Sequence, residues 1–234
     1  MQSRRRVYPP DVGNAWNCFG PVTASRAAGK PHSSPEDVHR FWFADALYDV
    51  RAAEARRDLW FRCAPSFDEE VRRRFAPTIA AAAGGELSSW QCSPQSCVAL
   101  VVVLDQFPRN VFRNTAAAFA NDALALRVTQ RALAAGYLAR LTIAESIFLL
   151  MPFQHVEDVM LQREGVAWFD RLSDAAPAEW RDFAAQSARS MSKHLQIVER
   201  FGRFPHRNTA WGRVSTPAER EYLESKPETF GQGG

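Results

Sequence analysis

The stretch from Glu199 to Arg213 sets Arg200, Arg203, Arg207, Arg213 and His206 among Phe201, Phe204, Pro205 and Trp211. A shorter echo lies upstream, from Leu104 to Asn110 and on to Arg113. Both contain Phe-Pro followed by Arg-Asn at the end of an apolar segment. A guanidinium is a planar fork of N–H donors that matches carboxylate or phosphate oxygens in pairs. Arg109, Asn110, Arg113, Arg203, Arg207, Asn208 and Arg213 are therefore candidate ligands for a small anion. Cations closing a helix need no special function, because they complement its carbonyl end. Those gathered here exceed what a cap requires.

Three further residues could move or hold a proton: Asp105, His155 and His206. Asp105 lies toward the end of an apolar segment, where a carboxylate is costly and must be paired. It either orients a histidine or a substrate, or forms a buried ion pair with a nearby arginine. His155 follows Met151-Pro152 and precedes Glu157-Asp158. If one helix holds both, His155 and Asp158 share a face at i, i+3, an arrangement that can ligate a metal. No second such motif accompanies it, and acids near a helix start favour the dipole anyway. No metal and no cofactor is expected. His194 falls on an apolar stripe between Met191 and Val198, which reads as a hydrogen-bonded core histidine unless His155 or His206 lies beside it.

The elements that must position these groups are helices. Ser34-Pro35-Glu36-Asp37 reads as an N-cap, a proline at the first helical position and an acid at the third. Ser66 to Glu69, Thr142 to Glu145 and Thr216 to Glu219 read as capping boxes, and Ser93-Pro94 as another cap and proline. In the segment after Pro177, residues from Trp180 through Phe183, Ser187, Met191, His194 and Val198 to Phe201 form one stripe at helical spacing. Asn121 to Leu138 repeats the pattern and ends near Gly136. Cys97 to Leu104 would suit a buried strand by composition. Its Ser93-Pro94 start and its reach to Phe107 predict instead a helix apolar on every side, hence central. Strand alternation is nearly absent. The expectation is an all-α fold of antiparallel helix pairs, a bundle or solenoid, with residues 34–234 as one domain and residues 1–33 as a disordered basic tail.

Composition limits the function classes. Of 234 residues, 46% are hydrophobic and 24% charged, ordinary for a globular chain. The longest purely apolar run, Val98 to Leu104, is seven residues, against the roughly 20 that span a bilayer. No membrane association is expected. The net charge is +3, but residues 1–34 hold five cations against one acid, a local +4 that leaves the remainder at −1. A near-neutral body lacks the broad basic field of a nucleic-acid binder. Cys18, Cys63, Cys92 and Cys97 are too few and too irregular for a disulfide framework or a zinc ribbon. They read as reduced thiols of a cytoplasmic protein.

Phe41-Trp-Phe43, Leu59-Trp-Phe61, the Leu104–Asn110 motif with Arg113, Met151-Pro with His155 and Glu157-Asp158, and the Phe201–Asn208 motif with Gly212-Arg213 occur in that order. In this, from Asp37 to Phe230, the chain resembles the bacterial domain-of-unknown-function family 924. The resemblance implies an all-α, TPR-like fold and no established activity. Three positions depart from the family pattern: Asn114 stands for a glycine, Val156 for a serine and Trp211 for a smaller aliphatic residue. Any role of a hydroxyl beside His155 is thus missing here.

Two functions are compatible with these residues. In the first, Arg109, Arg203 and Arg207 hold a small anionic molecule, His155 or His206 moves a proton, and Asp105 sets the imidazole tautomer. In the second, a helical scaffold binds a protein or peptide and the arginines take its acidic side chains.

Overall fold

A computed structural model of the chain describes residues 32–62 and 64–225. The predicted tail falls outside them, save for its last two residues, as do Cys18 and Cys63. Among the described residues the secondary structure is helical throughout, with no strand.

The start signals act as the local rules require, with one exception. Ser34 and Asp37 cap each other at the head of α1 (Pro35–Phe43). The same reciprocal box opens α7 (Ile143–Leu150) through Thr142 and Glu145, and α11 (Pro217–Glu224) through Thr216 and Glu219. Asp49 caps α2 (Val50–Phe61). The box expected at Ser66 does not form. α3 (Pro65–Ala83) begins two residues earlier than that box implies, on Pro65, with Ala64 at the cap position and no side-chain bond. Proline's fixed φ suits the first helical position, and this moves Ser66 inside the helix.

The central apolar segment is a helix, longer than expected and internally altered. α4 (Pro94–Val101) runs into a π-helical turn, Val102–Gln106, and then into α5 (Phe107–Val111). Every residue from Cys97 to Leu104 is buried. α1, α6 (Asp122–Ala134) and α7 pack around this rod, and each fully buried aliphatic side chain contributes about 1.5–3 kcal/mol. The π turn has a clear local cause. Pro108 lacks an N–H, and its ring would clash with the carbonyl of Leu104 four residues back. Widening the preceding turn relieves this, and the N–H of Phe107 bonds to the carbonyl of Val102, five residues back. Asp105 consequently sits within a continuing helix, not at the carbonyl end where the sequence had placed it.

The remaining elements bring the other half of the site to this rod. Pro152 interrupts α7, and a single turn, α8 (Pro152–His155), follows. Val156 is extended, and Asp158 caps α9 (Val159–Ala175) by accepting from the N–H groups of Met160 and Leu161. His155 and Asp158 therefore do not share a helical face. α9 and α10 (Arg181–Phe201) form a long hairpin. The hairpin sits against α8 at Gly165, where an added Cβ would lie 2.6 Å from the Cβ of Phe153 and 3.0 Å from the Met191 side chain. α10 ends at Gly202, whose φ of 71° is left-handed. The second Phe-Pro motif then forms a short 3-10 turn, Pro205–Arg207.

Candidate functional site

The π turn points Asp105 at α8. Its carboxylate, fully buried, accepts the Nδ1–H of His155 at 2.7 Å. It is also bound by the Gln106 amide, and Arg109 Nη1 lies 3.3 Å away. Burial alone would favour the neutral acid, but His155, Arg109 and Gln106 together hold the carboxyl below the usual range. An ionised carboxylate only accepts, so the proton of His155 resides on Nδ1 and Nε2 is left as the basic nitrogen. Burial first, and then the charge of Arg109, lower the His155 pKa, so the ring is neutral near pH 7.

The backbone that carries His155 is tied from three sides. Carbonyls ending a helix lack intrahelical partners. Here Gln162 of α9, itself fully buried, donates to the carbonyls of Gln154 at 2.9 Å and Val156 at 2.8 Å. Arg207 donates to the carbonyl of His155 at 3.0 Å. Arg207 comes from the second Phe-Pro motif, so that motif supports the dyad without touching its reacting end.

The two motifs meet on Asp122. Arg109 forks onto both of its oxygens at 2.9 Å, and Arg207 reaches one of them at 3.2 Å. The Phe119 ring lies under both guanidiniums, 5.6 Å from Arg109 and 4.5 Å from Arg207. Burial lowers the Arg207 pKa to about 10, and Asp122 opposes the fall, so it remains a cation at neutral pH.

Beside the dyad lies a cavity of about 470 Å³. The first motif contributes Gln106, Arg109, Asn110 and Arg113 to its wall, and the α7–α8 joint contributes Met151, Gln154 and His155. α10 presents Gln186, Arg189, Ser190, Lys193 and His194, and α2 closes the far side with Arg57, Trp60 and Phe61. Five cationic side chains thus line the space, and no Asp or Glu among the described residues does. The volume is that of a small-molecule site, and the lining is more polar than most such sites have.

The match to known proteins is specific. Residues 38–227 fit the family described as bacterial protein of unknown function, DUF924. The chain belongs to that family. A solved structure from Agrobacterium tumefaciens, the protein of unknown function ATU0120, is 34% identical, with a TM-score of 0.69 over 82% of this chain and 97% of that one. No curated protein matches the chain.

Within this DUF924 fold the sequence-derived candidates divide into three groups. Arg109, Asn110, Arg113 and His155 face the cavity, and Asp105 lies directly behind His155. Arg113 and Asn110 are held there by Asp68, through contacts of 2.6 and 2.7 Å. Arg207 supports the dyad from behind. Arg203, Asn208 and Arg213 stay outside the cavity lining and build the second motif. Arg203 forks onto Glu219, Asn208 bonds Ser215, and Arg213 forks onto Glu157, whose carboxylate also accepts from the N–H of Phe204. His206 packs against Phe204 and does not line the cavity. Burial and the surrounding arginines lower its pKa to about 3, so it is neutral.

His194 is a gain over the sequence reading. Its Nδ1–H bonds the carbonyl of Ser190 at 2.8 Å, as a core histidine would, yet its ring centroid lies 6.1 Å from that of His155 and it lines the cavity. Asp122, Asp68, Gln162 and Arg57 were not singled out from the sequence. Asp122 looks like an ordinary first-turn acid, and nothing local marks it as the shared partner of two arginines. A usable signal did exist in α10. Gln186, Arg189, Ser190 and Lys193 repeat at i, i+3, i+4 and i+7 beside the apolar stripe, the spacing of a second, polar face.

Proposed function

We propose that this protein binds a small anionic molecule in the cavity beside His155, and that the Asp105–His155 dyad serves as its general base. The observation that carries this is a lining with five cations, two imidazoles and, among the described residues, no carboxylate, in which the Nδ1–H of His155 is engaged by a buried carboxylate behind it. Cations in a partly enclosed space attract an anion more strongly than they would at an open surface. An imidazole held in one tautomer has its Nε2 lone pair set to take a proton from a bound hydroxyl or water. Val156 offers no hydroxyl next to His155 in the chain, and in this reading the proton taken is that of the ligand or of solvent.

The alternative is a TPR-like scaffold whose arginines grip an acidic peptide. Arg109 and Arg207 are 8% and 5% exposed and already hold Asp122, so they weigh against that reading. The test is a thermal-shift panel of inorganic phosphate, phosphorylated metabolites and carboxylates. A ligand at 100 times its dissociation constant adds about 2.7 kcal/mol of stability. The expected result is a hit among these anions that Arg189→Ala weakens, since Arg189 lines the cavity while exposed enough for its loss to spare the fold. A flat panel, with an acidic peptide bound instead, would overturn the small-anion reading in favour of the scaffold.

A further inference from the structure

The cavity has two chemically different ends, and α10 measures the distance between them. At one end the His194 ring stands 6.1 Å from that of His155. At the other, Arg57, Trp60 and Phe61 of α2 form the wall, with Phe183 of α10 behind them, 6.5 Å from the Trp60 ring and under the guanidinium of Arg57. Along α10 the lining runs from Gln186 to His194, eight residues or about 12 Å at 1.5 Å per residue. Gln186, Arg189, Ser190 and Lys193 line the space between.

The α2 end is built from planar surfaces. Phe61 is half-buried, stacked nearly parallel on Phe148 at 6.0 Å, and it lines the cavity. The Arg57 guanidinium lies 5.6 Å above the Phe61 ring and 5.4 Å from Phe183. Its Nη1 is buried without a hydrogen-bond partner, and its nearest carboxylate oxygen, on Glu54, is 3.6 Å away. Arg57 is thus held mainly by ring faces, and with Phe61 it forms a flat wall of ring and guanidinium.

The geometry points to an elongated ligand with a planar apolar group against Phe61 and Arg57, and an anionic group held by Arg189 and Lys193 near the two imidazoles. This deepens the small-anion reading and rests on it. The bond acted on lies at the anionic end, within reach of His155, and the planar group supplies recognition. Such a division lets binding at a remote part of the substrate position the reacting part.

The experiment compares inorganic phosphate with phenyl phosphate by calorimetric titration of the full chain. The wild type is expected to bind phenyl phosphate about tenfold more tightly, the gain of burying one ring on an aromatic wall. Phe61→Leu should narrow that ratio to about twofold and leave the phosphate affinity unchanged. Arg189→Ala should weaken both ligands by the same factor. Equal affinities for the two ligands in the wild type would overturn the planar end and leave the small-anion reading standing. No binding of either would overturn both. A tenfold preference that survives Phe61→Leu would overturn the placement at Phe61. If that variant does not melt cooperatively, saturation transfer from the protein's aromatic protons to the phenyl protons decides the point in the wild type. Transfer is expected, and its absence with phenyl phosphate bound overturns the placement.

Discussion

The two Phe-Pro-containing motifs begin from nearly the same residues and end in different work. In the first, Phe107-Pro108-Arg109-Asn110, proline sits inside a helix, and the π turn it imposes sends Asp105 toward His155 and Arg109 and Asn110 toward the cavity. In the second, Phe204 to Asn208, proline follows a helix already ended by Gly202, and the arginines turn onto carboxylates of the C-terminal segment and of Glu157. One motif is a wall of the site and the other is its buttress. The difference lies in what precedes the proline: a buried helix that must continue, or a left-handed glycine that stops it. Asp122, which both arginines bind, joins the motifs directly, and the Phe119 ring under both guanidiniums adds a second contact.

The sharpest way to break this comparison is at that joint. Asp122→Ala leaves Arg207 buried without its carboxylate and removes the carboxylate that Arg109 forks onto. The expected loss is about 3–5 kcal/mol in urea unfolding, larger than for any other single carboxylate removed from the site. A loss under 1 kcal/mol would mean that the two motifs stand independently.

Removing a buttress contact separates stability from binding. Arg213→Ala deprives Glu157 of its fork and the Phe204 carbonyl of a donor, at a cost of about 1–3 kcal/mol. Anion affinity at 25 °C should change less than twofold. Arg189→Ala should do the reverse, weakening the anion with little effect on the melt. If Arg213→Ala abolished anion binding while the fold stayed intact, the buttress would have to be counted as part of the site.

Acid should reach the imidazoles first. His155, His194 and His206 all have folded pKa values below the ordinary histidine value, chiefly through burial. The unfolded chain therefore binds more protons as pH falls through about 6.5, and stability present above that pH declines toward the folded values. Glu219, held at about 2 foremost by its bonds to Arg203, and Asp105 lose their contribution only in a lower window, below the ordinary carboxylate range. The melting temperature should thus fall between pH 6.5 and 5, before these carboxylates titrate. His206→Gln should make that slope shallower, and an unchanged slope would show that His206 takes up its proton as readily in the folded protein as in the unfolded chain.

The smallest effect belongs to the turn after the first motif. Asn114 has φ 60°, the left-handed region that glycine and asparagine tolerate. Asn114→Gly is expected to stay within about 0.5 kcal/mol of wild type, whereas Asn114→Val should cost about 1–2 kcal/mol. Equal melts for the two variants would show that this turn relaxes without cost.

Much of the scaffold was legible in the sequence because capping and periodicity act within one or two helical turns. Ser34, Thr142 and Thr216 marked true starts, Gly136 marked a true stop, and the all-round apolar run Val98 to Leu104 identified the central rod. Asp105 and His155 were both marked as candidates, since a carboxylate in an apolar segment requires a partner. The sequence could not decide which partner, nor that Arg203 and Arg213 face away from the cavity while Arg189, Lys193 and His194 face into it. Asp122 meets Arg109 across 13 residues and Arg207 across 85. No local rule spans such separations. The choice depends on the angle at which packed helices cross and on the extra residue in the π turn. Both are settled by the burial of the whole core, and only the tertiary structure contains them.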